Sequence, residues 1–97
     1  SKYKNKMSGA WGDVGCFSAH PLKNLNAMGD SGYLTTNNKE LYHKVKSLRS
    51  HGMEESRDNI KNFGHVSRMD NIQAAILNFR LKNLKKTIIA RRKNLDI

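Results

Sequence analysis

The sequence predicts an α/β fold in which a strand–loop–strand unit is followed by two helices. Three observations support this class: two short runs of β-forming residues, two later stretches with helical spacing of apolar residues, and the placement of glycine and proline. All seven glycines and the single proline lie between Gly9 and Gly64, whereas the last third of the chain contains neither. Because both residue types interrupt regular secondary structure, the sequence predicts a turn-rich N-terminal part and a helical C-terminal part.

The two predicted strands cover residues 13–18 and 32–36. The first combines small residues with Val14, Cys16 and Phe17, and the second contains Tyr33 and two threonines. Aromatic and β-branched residues favour extended backbone. The intervening residues 19–31 hold Pro21 and several polar side chains, and an ordered loop of this length is often functional.

A first helix is predicted after the second strand. Asn37 is its expected N-cap, with Glu40 three residues later in a capping-box arrangement. Gly52 stands where a glycine commonly follows a helix. Three apolar residues repeat at helical spacing between these limits: Leu41, Val45 and Leu48. A polar connection over residues 53–64 follows.

A second, longer helix is predicted from Ser67, with Asp70 as its capping-box partner, to about Lys93. Its apolar residues form two stripes about 120° apart on a helical wheel. The first stripe contains Met69, Ile72, Ile76 and Phe79, and the second contains Leu77, Leu81, Leu84 and Ile88. The helix therefore presents successive faces to two neighbours, or lies as a single helix in one broad groove.

Length and composition limit the function classes. Ninety-seven residues form one small domain or part of a larger one. The chain has one cysteine, Cys16, which excludes a disulfide framework and favours the reducing cytoplasm. It contains no apolar run of about 20 residues and no signal-peptide pattern, so we expect neither a membrane span nor secretion.

The net charge of +10 suggests nucleic-acid binding, because lysine and arginine neutralise phosphates. Seven of the 18 basic residues fall between Arg80 and Lys93 without an acidic residue among them. The alternative is a solvated cationic helix surface. No helix-turn-helix, zinc-finger or aromatic ribonucleoprotein motif accompanies the charge, so nucleic acid is not the expected partner.

The loop after the first strand concentrates reactive side chains. Partial burial of a lysine such as Lys23 would favour a neutral amine that is able to act as a Schiff-base nucleophile. Ser18 offers a hydroxyl to a phosphate, and His20 is able to relay protons near neutral pH. The simpler interpretation is that Lys23 is an ordinary surface lysine. No metal site is expected from the residue spacing.

Two runs of the sequence closely resemble the DegT/StrS-type aminotransferases. The first run covers residues 12–25 (GDVGCFSAHPLKNL) with 29–32 (GDSG), and the second covers 64–75 (GHVSRMDNIQAA). Between them, residues 48–52 (LRSHG) match the ending of the family's intervening helix. Members are pyridoxal-phosphate enzymes that act on nucleotide-linked keto-sugars. The resemblance implies the large domain of a fold-type I, aspartate aminotransferase-like transferase.

The resemblance also implies roles for individual residues. Lys23 would attach to pyridoxal 5′-phosphate as a Schiff base and shuttle the proton during transfer. Ser18 would bind the cofactor phosphate, and His20 would lie beside the lysine near the sugar substrate, with a catalytic role. The family commonly uses glutamate as amino donor and works as a homodimer. The expected enzyme is cytoplasmic.

The chain departs from the family pattern at three positions. Ala19 replaces a common aromatic residue beside the lysine, Ser31 replaces a glycine, and Val66 replaces an asparagine that reaches the neighbouring subunit's cofactor. The chain is expected to be an interior fragment, inactive in isolation. Residues 1–66 would belong to the cofactor-binding large domain and 67–97 would lead towards a small C-terminal domain.

Two other functions remain alternatives. One is a homologue that does not transaminate, either a sugar dehydratase or a regulatory protein, although retention of Lys23 argues against the dehydratase. The other is a small basic nucleic-acid-binding protein.

Overall fold

The computed structural model describes residues 2–54, 56 and 58–95. The strands are β1 (Lys2–Tyr3), β2 (Lys6–Met7), β3 (Gly15–Ser18) and β4 (Gly32–Thr35), and the helices are α1 (Lys39–Leu48), α2 (Asn71–Leu81) and α3 (Leu84–Lys93). β1 pairs with β2, and β3 pairs with β4, in two separate two-stranded sheets. None of these helices combines the length and the apolar character that crossing a bilayer requires.

The chain forms two compact units. The first contains Ser1–Cys16 and Leu34–Arg68, and the second contains Phe17–Tyr33 and Met69–Ile97. The division expected at residue 66, between a large domain and a segment leading to a small one, concerns the intact protein and stays a prediction.

A short β-hairpin at the start of the first unit was not predicted from the sequence. β1 and β2 are antiparallel, with Lys2 opposite Met7 and Tyr3 opposite Lys6. The two turn residues, Lys4 and Asn5, have φ angles of 44° and 62°. Two successive positive φ values characterise the turn that matches the twist of paired strands.

Helix α1 begins one residue later than the sequence predicts. Asn38 is the N-cap in place of Asn37, and its side-chain oxygen accepts hydrogen bonds from the backbone N–H groups of Glu40 (2.9 Å) and Leu41 (3.2 Å). These two bonds satisfy donors that have no partner within the helix.

The helix ends at Leu48, so Gly52 is not its immediate C-terminal glycine. The chain turns back instead, and the Ser47 carbonyl accepts from the N–H groups of Ser50 (2.9 Å) and Gly52 (3.0 Å). The Leu48 carbonyl accepts from His65 N–H at 2.9 Å. The start of the second sequence run, residues 64–75, therefore closes the C-terminus of α1.

The long helix predicted from Ser67 to Lys93 is divided. α2 begins at Asn71 with Asp70 as N-cap, and Lys82 and Asn83 separate it from α3. The two apolar stripes of the predicted helix are buried to different extents in α2. Leu77 of the second stripe is buried, whereas Ile72 and Phe79 of the first stripe are 67% and 68% exposed.

Candidate functional site

The segment that carries Lys23 is an irregular loop between β3 and β4 whose base is closed by backbone hydrogen bonds. Ala19 N–H donates to the Ser31 carbonyl, and Ala27 N–H donates to the Ala19 carbonyl, both at 2.8 Å. These bonds hold the two ends of the loop together. The loop predicted over residues 19–31 is confirmed in its irregular structure and in its position between two strands.

Small side chains allow the loop to pack on the core of the second unit. Ala19 and Ala27 are 0% and 1% exposed and form a cluster with Leu77 of α2, against which Leu25 and Met69 pack. The side chain of Ala19, where the family resemblance leads us to expect an aromatic residue, therefore lies in a tight core. Methyl groups at 19 and 27 allow the backbone to approach the helix closely.

Lys23 lies at the exposed part of this loop. Its backbone N–H donates to the His20 carbonyl at 2.9 Å, which closes a turn around residues 20–23. Its side chain is exposed and forms no ion pair with any residue in the described part of the chain. The structure thus presents a lysine amine on a backbone that is fixed on both sides.

His20 is oriented by two contacts. Its Nδ1 accepts a hydrogen bond from Leu22 N–H at 3.2 Å, and its Nε2 lies 3.7 Å from Asp30 Oδ1. Because Nδ1 acts as acceptor, the neutral ring carries its hydrogen on Nε2. The Nε2–H group therefore faces the side of the loop on which Asp30 lies.

Ser18 connects to the same turn. Its Oγ accepts from His20 N–H at 3.3 Å, so the hydroxyl hydrogen remains available for an acceptor such as a phosphate oxygen. Ser18, His20 and Lys23 are joined in series by this bond and by the bond from Lys23 N–H to the His20 carbonyl. The structure brings the three predicted residues onto one hydrogen-bonded turn, while their individual roles stay predictions.

Three residues that contact the loop or its side chains were not singled out from the sequence. Asp30 faces His20, and Gln73 and Arg80 of α2 bond to the loop segment that begins at Asn26. Gln73 lies within the second sequence run, residues 64–75, and this position is the only sequence feature that indicated a role for it. Arg80 was counted among the solvated cations.

The structure shows the exposure and contacts of two residues that depart from the family pattern. Val66 is 58% exposed and forms an isolated β-bridge with Ser50 in the first unit. Ser31 Oγ is buried and has no hydrogen-bond partner among the residues that the structure describes.

The first unit contains a basic cleft of about 900 Å³. Among the described residues that line it, four are lysine or arginine, two are histidine and one is acidic. The lining residues are His43, Lys46, Ser47, Arg49, Ser50, His51, Met53, Glu54, Lys61, Asn62 and Arg68. The surplus of cations makes the cleft suited to an anionic group.

The one carboxylate among the described residues that line the basic cleft is paired. Glu54 forms a salt bridge with Lys61, and the hydrogen bond from Lys61 lowers the pKa of the Glu54 carboxyl. Glu54 therefore stays ionised at neutral pH and offsets the charge of Lys61. Within the described ranges, no three His, Cys, Asp or Glu side chains are grouped so as to hold a metal ion.

With the loop and the cleft defined, comparisons with known proteins identify the family. The model of the DegT/DnrJ/EryC1/StrS aminotransferase family matches residues 1–97. The chain belongs to this family. The resemblance stated from the two sequence runs is confirmed, and the family depends on pyridoxal phosphate.

Two curated relatives are transaminases of nucleotide-linked sugars by name. UDP-N-acetyl-3-dehydro-alpha-D-glucosamine 3-aminotransferase of Acidithiobacillus ferrooxidans is 45% identical over 69 residues, which cover 71% of this chain and 18% of that protein. The dTDP-3-amino-3,4,6-trideoxy-alpha-D-glucose transaminase of Micromonospora megalomicea subsp. nigra is 38% identical over 87 residues, which cover 90% of this chain and 23% of that protein. The chain thus spans about a fifth of their length.

A solved structure agrees with the fold. The DegT DnrJ EryC1 StrS aminotransferase of Brucella abortus superposes with a TM-score of 0.81 at 40% identity, covering 93% of this chain and 26% of that one. The predicted class, part of an α/β fold-type I transferase, is therefore confirmed.

Proposed function

We propose that the intact protein is a pyridoxal-phosphate-dependent aminotransferase that moves an amino group from glutamate to a nucleotide-linked keto-sugar. Family membership and the names of both curated relatives support this. The observation that carries the proposal is the exposed amine of Lys23 on a loop whose base is closed by hydrogen bonds and whose alanines are buried.

Lys23 and Ser18 are the residues of this chain that would hold the cofactor. When bound, pyridoxal phosphate supplies an electron sink that makes movement of nitrogen between an amino acid and a ketone feasible. The Lys23 amine would condense with the cofactor's aldehyde, releasing one water molecule, and would move a proton during transfer. The Ser18 hydroxyl, whose hydrogen is free to donate, would bind a phosphate oxygen.

His20 is proposed to act on the sugar side of the same turn. Its Nδ1 is occupied by Leu22 N–H, so exchange of a proton or donation to a sugar oxygen takes place at Nε2. Asp30 Oδ1 lies 3.7 Å from Nε2, on the same side of the turn.

The basic cleft in the first unit is suited to an anionic ligand such as a diphosphate, which lysine and arginine recognise by charge-assisted hydrogen bonds. We expect Arg49→Gln, at the lining of the cleft, to weaken binding of inorganic diphosphate to the intact protein. Unchanged binding would exclude this role for the cleft.

The proposal includes a homodimer in the cytoplasm, without a nucleic-acid or membrane partner. The free, exposed thiol of Cys16 is compatible with a reducing compartment. Light scattering of the intact protein measures the oligomeric state. A steep loss of affinity for unrelated DNA with rising salt would instead support the nucleic-acid alternative.

Trapping of the cofactor tests the central assignment. The intact protein, loaded with pyridoxal phosphate, is reduced with borohydride and digested, and the labelled peptide is sequenced. We expect the label on Lys23, loss of label and of turnover in Lys23→Ala, and normal behaviour in Lys39→Ala, an exposed lysine at the start of α1. A label on another lysine, or turnover by Lys23→Ala, would show that the assignment is wrong.

Formation of ketoglutarate from glutamate separates this function from a homologue that does not transaminate. The assay needs no knowledge of the keto-sugar, because the first half-reaction proceeds with the amino donor alone. A protein that is labelled on Lys23 but forms no ketoglutarate would favour the dehydratase or regulatory alternative.

A further inference from the structure

Helix α2 directs two polar side chains towards the loop that carries Lys23. Gln73 and Arg80 are seven residues apart, which is close to two helical turns, so they lie on the same face of the helix. Both are partly buried. Neither belongs to the residues assigned above to the cofactor or the substrate.

Both side chains bond to the backbone just after Lys23. Gln73 Oε1 accepts from Met28 N–H at 2.8 Å. Arg80 Nη1 donates to the carbonyl oxygens of Asn26 (3.0 Å) and Ala27 (3.4 Å). The helix therefore holds three consecutive residues of a segment that has no regular secondary structure of its own.

Asn26 extends the Arg80 contact to the residues before Lys23. Its Oδ1 accepts from Arg80 Nη1 at 2.5 Å, and its Nδ2 donates to the Pro21 carbonyl at 2.7 Å. Because the amide oxygen is turned towards Arg80, the amide nitrogen is turned towards Pro21. The chain of bonds Arg80–Asn26–Pro21 thus brackets Lys23, which lies between residues 21 and 26.

We propose that Arg80, acting through Asn26, and Gln73 are positioning residues for Lys23. They do not touch the cofactor or the substrate, and they fix the backbone from which the amine projects. This inference rests on the proposed role of Lys23. A charged donor that bonds to carbonyl and amide oxygens contributes more than a neutral hydrogen bond, so Arg80 has the larger effect.

The test compares isosteric variants in the intact protein. Arg80→Met and Gln73→Met remove the polar atoms at similar length, whereas Arg80→Lys retains a donor and Gln73→Glu retains an acceptor. Lys82→Met, an exposed residue just after α2, is the control for lost charge. Amide exchange is measured without cofactor, and kcat and KM are measured with it.

In Gln73→Met we expect Met28 N–H to exchange about fivefold faster. In Arg80→Met we expect Ala27 and Lys23 N–H to exchange about tenfold faster or more, with kcat falling by a similar factor and KM for the donor within twofold of wild type. Arg80→Lys and Gln73→Glu should recover most of each loss, and Lys82→Met should match the wild type.

Unchanged exchange and kcat in Arg80→Met would overturn the inference, as would an equal loss in Lys82→Met or a loss confined to thermal stability. Borohydride trapping in each variant separates this outcome from failure of the proposed function. A label on Lys23 with unchanged exchange refutes the positioning role alone. A label on another lysine refutes both.

Discussion

Gly52 closes the turn after α1 in a conformation that a side chain would disrupt. Its φ angle is +74°, in the left-handed region. A Cβ atom at this position would overlap the carbonyl oxygen of Asn62 and stand 2.6 Å from its carbonyl carbon and 3.2 Å from its Cα. These atoms are backbone, so no rotamer change relieves the overlap. Gly52→Ala therefore forces the segment that contains Asn62 away from the turn.

The expected loss of stability follows from the bonds at this turn. A non-glycine residue in the left-handed region costs about 1–2 kcal/mol. Displacement of the neighbouring segment also removes the hydrogen bond from Lys61 N–H to the Gly52 carbonyl (3.1 Å). At about 1 kcal/mol for this bond, the free energy of unfolding falls by about 2–3 kcal/mol in total.

Denaturant unfolding of the intact protein measures this loss, with Gly12→Ala as the matched control. A Cβ at Gly12 would meet only the Val14 carbonyl oxygen, at an ordinary contact distance of 3.8 Å. We expect the control to change the free energy of unfolding by about 0.5 kcal/mol or less. If Gly52→Ala remains within about 0.5 kcal/mol of the wild type, the steric reasoning is refuted.

Three further predictions concern local interactions. Asn38→Ala removes the cap of α1 and should lower the free energy of unfolding by about 1 kcal/mol, whereas Asn38→Asp should retain most of it; denaturation distinguishes them. The lowered pKa of Glu54 means that its pairing stabilises the fold above the ordinary carboxyl pKa and is lost as pH falls through the folded-state pKa. Lys61→Met should therefore raise the Glu54 pKa in an NMR titration, and an unchanged value would contradict the pairing. Leu77→Ala should cost about 2–4 kcal/mol and speed exchange at Ala27, because it opens a cavity beneath the loop; normal exchange there would contradict the packing.

The sequence predicts local structure best where the signal is itself local. The spacing of Leu41, Val45 and Leu48 locates α1, and the β-forming runs locate β3 and β4 to within two residues. The exact cap is less predictable, because Asn37 and Asn38 are adjacent and chemically equivalent. Which of them bonds to the helix depends on the direction of the preceding chain.

Two features of the fold escaped prediction because no local residue pattern specifies them. The β1–β2 turn places Lys4 at a positive φ, which is unusual for lysine and removes the glycine signal expected of such a turn. The interruption after α2 falls at Lys82 and Asn83, and lysine is a good helix former. Neither glycine nor proline marks this boundary.

At the candidate site, sequence resemblance selected Ser18, His20 and Lys23, and the structure joins them on one turn. The sequence could not identify the residues that hold the loop, because the hydrogen bonds from Gln73 and Arg80 span 45 and 54 positions along the chain. Contacts of this separation leave no periodic pattern in a single sequence.

Arg80 illustrates why a count of charges misjudges the role of a cation. The basic residues between Arg80 and Lys93, with no acidic residue among them, are interpreted from the sequence as a solvated cationic surface. Arg80 is partly buried and bonds instead to two carbonyl oxygens and an amide oxygen. Backbone carbonyls carry a substantial partial negative charge, and an irregular loop leaves several of them without helix or sheet partners. An irregular loop that holds a reactive amine in a fixed position therefore contains backbone acceptors without helix or sheet partners. One arginine of a basic stretch binds these acceptors and so has a structural role.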